Sequence, residues 1–264
     1  MSPDHLRSAL RRGTLRRLPA GVLLLVLLAA PACAQTPAKP AQDGAAAAGA
    51  VSLDSLQARA SRARVKGSEQ AQVTIVEVSD FQCPFCRQFT EQAYRQLDSA
   101  YIRTGKARMV FIAYPIPQHA EAWAATEAAY CAGAQGQFWP MHDRLFATQR
   151  EWSGKGSPAA RFAGFATELR LDAAAYRTCV EQDQMASMIV NDVMQASSAG
   201  ITGTPTFIIN GQRVVSGAAP FEEFRTNIED VLAGRGAQPP AGAPQAGAPQ
   251  QQQPAPPPPP TARP

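Results

Sequence analysis

Histidine is scarce in this sequence: His5, His119 and His142 are the only three among 264 residues. None of them belongs to a ligand pair, and the chain has a single C-x-x-C motif, formed by Cys83 and Cys86. A structural zinc site normally takes four such ligands. They come from two C-x-x-C motifs, or from one C-x-x-C motif and a pair of histidines. The sequence therefore argues against a metal site, and we expect neither a metal nor an organic cofactor.

Long apolar runs are also missing. The run GVLLLVLLAA, from Gly21 to Ala30, is shorter than the about 20 residues that a membrane-spanning helix needs. Because a basic segment precedes this run and the small residues Ala32 and Ala34 follow it, residues 1–34 are predicted to be a secretory signal. We therefore expect an exported protein of the periplasm or cell envelope. The alternatives are an uncleaved N-terminal anchor and a lipid attached to Cys33, although the leucine usual three places before such a cysteine is absent.

Net charge is lacking once that segment is removed. Residues 1–34 hold five of the 25 basic residues and one of the 21 acidic residues, so 20 of each remain. A chain with no net charge and no basic patch gives no reason to expect nucleic acid as a partner. After export, the four cysteines that follow Cys33 can form disulfides that persist.

Composition divides the remainder into one folded region and two flanks. Residues 35–64 are predicted to be an Ala- and Pro-rich linker with a short helix, and residues 65–234 suit one domain with an insertion. Residues 235–264 contain 11 of the 23 prolines. A segment of that composition cannot bury an apolar core, so this tail is predicted to be disordered.

The apolar pattern of the folded region predicts an α/β order of strands and helices. A strand, a helix and a second strand come first, and a long helical insert follows at about 117–200. A hairpin around Asn210-Gly211 and a last helix complete the order. The predicted segments are strands Val73–Asp80 and Ala107–Pro115, a helix from Pro84 that Gly105 ends, hairpin strands Thr204–Asn210 and Gln212–Gly217, and helix Pro220–Ala233. This order indicates a sheet with a helical subdomain set into it.

The motif Cys83-Pro84-Phe85-Cys86 opens the first of these helices, and Pro84 suits a first helical position. Cys83 would face unpaired backbone N–H groups and the positive end of the helix dipole, both of which favour the reactive thiolate. Cys86, one turn later, lies on the buried side and can displace a partner bound to Cys83. We predict a redox pair with an exposed nucleophile and a protected partner. The alternative is a structural disulfide, although so small a loop removes little chain entropy.

Glu77 stands inside the first apolar strand, six residues before Cys83. Burial disfavours the charged form of a carboxyl group, so a buried Glu77 should have a raised pKa. Such a group can accept or deliver protons during thiol exchange. The alternative is an acid at a strand edge that faces water.

These features together resemble a known family. A strand with an internal acid, a C-P-x-C motif at a helix start and a distant Thr-Pro before a strand resemble the thioredoxin superfamily. The segments EVSDFQCPFC, QGQFWPMHDRLF and GTPTFIING, with the long helical insert, look like the DsbA-type thiol–disulfide oxidoreductases over residues 65–234. The resemblance implies a thioredoxin fold, which is a central mixed β-sheet flanked by helices, with an inserted α-helical subdomain.

The same resemblance implies roles for four residues. Cys83 would be the nucleophile and Cys86 the resolving cysteine. Glu77 would be the buried acid, and Pro205 would be a cis-proline that faces the cysteines. These are the predicted catalytic residues.

Thr204, Pro84 and Phe85 are the predicted substrate-binding residues. A cis Thr204–Pro205 bond would present backbone with which a substrate strand can pair, close to Cys83. The best-known oxidases of the family carry His where Phe85 stands, and Thr before the proline also occurs in isomerase relatives. Because neighbouring groups set the nucleophile pKa and the redox potential, these two features leave the direction of exchange open.

Cys131 and Cys179 stand 48 positions apart in the predicted insert. They can form a structural disulfide, worth about 4 kcal/mol by loop closure, or remain two separately buried thiols. In an oxidising compartment we favour the bond.

We therefore predict an exported oxidoreductase that passes a disulfide from Cys83–Cys86 to reduced, unfolded client proteins. By resemblance, an integral-membrane, quinone-linked partner would reoxidise it. Residues 35–64 are too few for the dimerising domain of isomerase relatives, so we expect a monomer. The alternatives are a disulfide isomerase or reductase of the same superfamily and a redox-inactive, peptide-binding chaperone module.

Overall fold

The computed structural model describes residues 52–235. The predicted signal, Cys33, most of the linker and the proline-rich tail from residue 236 onward lie outside the described residues. Within residues 52–235, no helix combines the length and the apolar character that crossing a membrane requires.

A five-stranded sheet lies at the centre of the fold. Its strands are β1 (Val65–Gly67), β2 (Val73–Ser79), β3 (Ala107–Ala113), β4 (Thr206–Ile209) and β5 (Arg213–Ser216). The spatial order is β1-β3-β2-β4-β5, with β2 and β3 parallel and the other neighbouring pairs antiparallel. The central strands are rich in β-branched and apolar residues, as strands buried on both faces usually are. The predicted mixed sheet is confirmed, and β1 is a short edge strand that the apolar pattern did not predict.

Helices pack against this sheet and against one another. They are α1 (Leu53–Ala63), α2 (Pro84–Glu91), α3 (Ala93–Leu97), α4 (Ala122–Gly133), α5 (Phe138–Ala147), α6 (Gln149–Trp152), α7 (Ala159–Glu168), α8 (Ala173–Glu181), α9 (Ala186–Ser198) and α10 (Phe221–Leu232). The six helices α4 to α9 lie between β3 and β4 in the chain, so they form the helical insert. The remaining helices flank the sheet as the α/β prediction requires.

The helix after the cysteine pair differs from its prediction. A single helix from Pro84 to Gly105 is expected, but the chain forms α2 and α3, with a break at Gln92, and then a π-helical turn at Asp98–Ile102. A π-helical turn holds one more residue than an α-helical turn. In this turn, the adjacent residues Tyr101 and Ile102 are both buried.

Two apolar clusters lie side by side on one face of the sheet. Alternate residues of a strand share a face. Met109 packs with residues of α2, α3 and α10, whereas Phe111 packs with the insert helices. Glu77 is paired in register with Phe111, so its side chain enters this face where the two clusters meet. On the opposite face, Ala196 of α9 packs in a third cluster with Val78.

Asp192 of α9 connects the insert to the sheet. Its buried carboxylate accepts hydrogen bonds from the Ala113 amide at 3.0 Å, from the Arg64 guanidinium and from the Tyr130 hydroxyl. These donors belong to β3, to the end of α1 and to α4. Because a buried charge is costly without partners, this network holds α9 in one position against the sheet.

Cys131 of α4 and Cys179 of α8 are joined by a disulfide. The sulfur–sulfur distance is 1.99 Å and the Cα–Cα distance is 5.8 Å. The bond links two helices of the insert and lies within its apolar cluster. Of the two states that the sequence leaves open, the structure has the bond.

Candidate active site

The cysteine pair lies at the start of α2. Cys83 is the N-cap residue and Pro84 is the first helical residue. The Cys83 amide donates to the Asp80 carbonyl at 3.0 Å, and the Arg87 amide donates to the Cys83 carbonyl at 3.2 Å. Cys83 and Cys86 are both free thiols. This placement puts the Cys83 side chain at the end of the helix where N–H groups lack intrahelical partners.

Cys83 is less accessible than predicted. The sequence predicts an exposed nucleophile, but Cys83 is only 2% exposed, so that prediction is wrong. The cause is tertiary. The Thr204 carbonyl oxygen lies 3.5 Å from the Cys83 sulfur, and the side-chain amide of Gln149 donates to the Cys83 carbonyl at 2.9 Å. The loop before β4 and the start of α6 thus cover Cys83, whereas Phe85 is 58% exposed.

The two thiols have pKa shifts of opposite sign. A hydrogen bond from Cys86, helped by Thr204 and by the backbone N–H groups of Phe85 and Cys86, lowers the pKa of Cys83 to about 6 against the effect of burial. Burial, followed by the effect of Cys83, raises the pKa of Cys86 well above its ordinary value. At neutral pH, Cys83 is therefore a thiolate and Cys86 a thiol. The thiolate is the species that attacks disulfides.

Glu77 is fully buried on β2, which lies between β3 and β4, so the alternative of a strand-edge acid facing water is wrong. Neither carboxyl oxygen has a hydrogen-bond partner among the described residues. Burial raises the pKa of Glu77 to about 8, and the Ser79 side chain partly offsets this rise. Ser79 also lowers the pKa of Cys86. These two effects put the Ser79 side chain near both Glu77 and Cys86. At the distances in this structure, the Ser79 hydroxyl has no hydrogen-bond partner.

The Thr204–Pro205 peptide bond is cis, and it immediately precedes β4. The Thr204 carbonyl oxygen lies 3.5 Å from the Cys83 sulfur, although 121 positions of sequence separate the two residues. Pro84 and Phe85, which follow Cys83, are both exposed. The structure therefore brings the predicted substrate-binding residue Thr204 against the nucleophile and leaves Pro84 and Phe85 open to a partner.

Sequence reasoning missed several polar residues around the pair. They are Asp80, Gln82, His119, Glu121 and Gln149. The fully buried Asp80 carboxylate accepts from the Gln82 amide at 2.7 Å and lies 2.7 Å from the His119 Nδ1 atom. An acid directly after a buried strand, three residues before a cysteine, was a visible signal for Asp80. Nothing in the sequence places His119 beside it, because 39 positions separate them.

Among residues 52–235, no three or more His, Cys, Asp or Glu side chains are arranged to hold a metal ion.

Comparison with known proteins places this geometry in context. A family model described as Thioredoxin matches residues 60–230. The chain is 36% identical over 179 residues to Na(+)/H(+) antiporter NhaA 1 of Salinispora arenicola, a match that covers 67% of this chain and 26% of that protein. The chain therefore spans about a quarter of the length of that relative, and the similarity concerns this segment only.

A second relative is matched over most of its length. The chain is 25% identical over 177 residues to disulfide bond formation protein D of Bacillus subtilis, covering 65% of this chain and 78% of that protein. Among solved structures, oxidised BdbD from Bacillus subtilis superposes with a TM-score of 0.59 at 22% identity, over 64% of this chain and 92% of that chain. At this identity, the superposition shows the shared fold.

Proposed function

The chain belongs to the thioredoxin family, and from that premise we propose that it is a DsbA-type thiol–disulfide oxidoreductase that introduces disulfides into reduced client proteins. The observation that carries the proposal is the environment of the Cys83 sulfur. Its lowered pKa, beside a buried Cys86 with a raised pKa, gives a centre for reversible thiol exchange. Similarity to disulfide bond formation protein D supports the same chemistry.

The exchange proceeds in two displacements. A client thiolate attacks the Cys83 sulfur of the oxidised pair, the Cys83–Cys86 bond breaks, and a mixed disulfide between the client and Cys83 forms. The bonding electrons leave with the Cys86 sulfur, which takes up a proton because its pKa is high. A second client thiolate then attacks the client sulfur of the mixed disulfide, and Cys83 leaves as a thiolate. The client gains one disulfide and the pair gains two electrons.

Glu77 is the proposed proton donor and acceptor for Cys86. Its carboxyl group is protonated at neutral pH because burial raises its pKa to about 8. Ser79 acts on both Glu77 and Cys86, which supports a path for the proton between them. A neutral carboxyl group in the core can therefore protonate the Cys86 thiolate when the disulfide opens.

The client is proposed to bind where the loop before β4 meets α2. The Thr204 carbonyl lies against the Cys83 sulfur, and Pro205 follows it in a cis peptide bond. Backbone at this position can pair with an extended client segment, and the exposed Phe85 offers it an apolar contact.

The direction of exchange is proposed to be oxidation. A leaving thiol of low pKa departs faster, and a stabilised thiolate favours the reduced pair over its disulfide. The pKa of about 6 at Cys83 therefore supports an oxidant over an isomerase or reductase that must stay reduced. A redox-inactive peptide-binding chaperone would have no need for opposite pKa shifts at two adjacent thiols.

The cellular setting is part of the proposal. Residues 1–34 are proposed to direct export to the periplasm or cell envelope, where Cys131–Cys179 and client disulfides persist. A quinone-linked membrane protein is the proposed partner that reoxidises Cys83–Cys86. We propose that the protein acts as a monomer.

Oxidation of a reduced, unfolded model substrate tests the proposal. Cys83→Ser should abolish catalysed oxidation, since no mixed disulfide can form. Cys86→Ser should instead accumulate a mixed disulfide at Cys83, visible by non-reducing electrophoresis and mass spectrometry, and it serves as the matched control. Persistent oxidation by Cys83→Ser contradicts the enzymatic assignment and favours a peptide-binding module.

Equilibrium with glutathione tests the direction. Mixtures of reduced and oxidised glutathione are titrated against the pair, and the reduced fraction is read after acid quenching and thiol alkylation. An oxidant is half-reduced at a low ratio of glutathione squared to glutathione disulfide. Half-reduction only under strongly reducing conditions contradicts the oxidase and favours a reductase.

A further inference from the structure

The segment between the cysteines contains no charged side chain. Pro84 and Phe85 are the two intervening residues, and Phe85 points largely into solvent. A thiolate next to a helix N-terminus gains from the dipole, but a full positive charge nearby stabilises it further. Any such charge at Cys83 must come from another part of the fold.

Asp80 connects the pair to the loop after β3. Its backbone contacts both thiol residues, because its carbonyl accepts from the Cys83 amide at 3.0 Å and its amide donates to the Cys86 sulfur at 3.5 Å. Its carboxylate lies 2.7 Å from His119 Nδ1 and accepts from the Ile116 amide at 2.8 Å. A negative group beside Cys83 disfavours a thiolate there unless a positive group offsets it.

His119 is held in place by bonds on both sides. Its amide donates to the Ile116 carbonyl at 2.9 Å, and its carbonyl accepts from the Ala122 amide at 3.1 Å. The next turn is fastened by the Glu121 amide, which donates to the Gln82 side chain at 2.7 Å. The imidazole therefore has a defined position, with 24% of its side chain exposed.

The groups that act most strongly on His119 come from three elements. They are Asp80 after β2, Cys83 at the start of α2 and Glu121 in its own loop, and all three raise the pKa of the imidazole, the hydrogen bond to Asp80 most strongly. Burial acts in the opposite direction. A protonated His119 is thus favoured by the carboxylate that holds it. It is also favoured by Cys83, whose amide is bonded to the Asp80 carbonyl.

We propose that His119, held by Asp80, is a positioning residue that supplies the positive charge stabilising the Cys83 thiolate. His119 lies in a different part of the chain, but it has the role that a charged residue between the cysteines would have. The inference rests on the proposed function, because it concerns how strongly the same pair oxidises. In the exchange with glutathione, the Cys83–Cys86 disulfide and two glutathione thiols give the reduced pair and glutathione disulfide. Stabilising the Cys83 thiolate shifts this equilibrium toward the reduced pair.

The proposal is tested first on the unaltered full-length protein by proton NMR titration of the imidazole C2 protons. The two effects are reciprocal. If the His119 imidazolium lowers the pKa of Cys83, the Cys83 thiolate must raise the pKa of His119 by the same amount. The His119 midpoint should therefore be about one pH unit higher in the reduced than in the oxidised protein, the low end for an opposite charge nearby. His142 is the internal control and should not respond, because its pKa is set by burial, Asp143 and Lys66 and by neither thiol. Equal His119 midpoints in the two redox states overturn the proposal.

Two variants of the reduced protein give the second test. His119→Gln should raise the pKa of Cys83, read from thiolate absorbance at 240 nm and from the pH profile of iodoacetamide alkylation. It should also raise about tenfold the glutathione ratio at half-reduction, since one pKa unit is a factor of ten. His119→Arg, which keeps a positive charge, should restore both values. An unchanged Cys83 in His119→Gln, or an equal defect in both variants, overturns the proposal. None of these measurements uses a client, so they are independent of whether the protein oxidises one.

Discussion

The burial of Glu77 should make the protein less stable as the pH rises, and Glu77→Gln should remove that dependence. The folded state keeps the Glu77 proton up to about pH 8, whereas the unfolded state releases it near the ordinary pKa of 4.5. Between these values the folded state binds one more proton, so the free energy of unfolding falls with rising pH. The contribution of Glu77 to the free energy of unfolding is therefore fully present below pH 4.5. It decreases progressively as the pH rises to 8.

The size of the effect follows from 1.36 kcal/mol for each pKa unit. Relative to Glu77→Gln, the wild-type protein should lose under about 1 kcal/mol at pH 5, about 3 kcal/mol at pH 7 and about 4 kcal/mol at pH 8. A buried Gln amide without partners has its own cost, but that cost does not vary with pH. The slope of the difference is therefore the quantity to measure.

Urea denaturation at pH 5, 6, 7 and 8 measures this slope. Both proteins carry Cys83→Ala and Cys86→Ala, so no active-site thiol titrates and no reductant is needed that would open Cys131–Cys179. Glu181→Gln, which alters an exposed glutamate at the end of α8, is the matched control and should leave the slope unchanged. A stability difference between wild type and Glu77→Gln that stays constant from pH 5 to pH 8 refutes a protonated, buried Glu77.

Three further predictions concern stability. Replacing both Cys131 and Cys179 by Ala should lower the free energy of unfolding by about 4 kcal/mol, because the bond closes a loop of 48 positions; urea denaturation without reductant measures it, and an unchanged midpoint contradicts it. Asp192→Ala should cost about 3 kcal/mol, since it leaves the charge of Arg64 without its buried partner; a loss as small as that of the exposed control Asp54→Ala contradicts this. Gln149→Leu should cost about 2 kcal/mol, because two buried carbonyls lose their donor; Gln182→Leu is the exposed control, and equal losses contradict it.

Local sequence spacing predicted the elements that carry the candidate site. The run of β-branched residues before Asp80 predicted β2, and Pro84 marked the start of α2. The Asn210-Gly211 turn predicted the hairpin of β4 and β5. Each of these signals lies within a few residues of the structure that it specifies, because strand alternation, helix periodicity and turn conformation are local properties.

The prediction failed where accessibility depends on distant segments. In isolation, Cys83 is expected to be an exposed helix N-cap. It is covered by Thr204, from the loop before β4, and by Gln149, at the start of α6, which are both far away in sequence. The single helix expected after Pro84 was wrong for a similar reason. The π-helical turn buries Tyr101, whose hydroxyl donates to Glu229 of α10, a partner that no local pattern indicates.

By itself, the sequence determined that two cysteines open a helix behind a buried strand and that an acid lies within that strand. Only the tertiary structure decided that Cys131 bonds Cys179 and that Thr204 closes over Cys83. It alone decided that Asp80 brings His119 to the pair. The physical reason is that apolar periodicity specifies which side of an element is buried but not which distant element packs against it. Hydrogen bonds and charge interactions act over a few ångströms, so they depend on that packing.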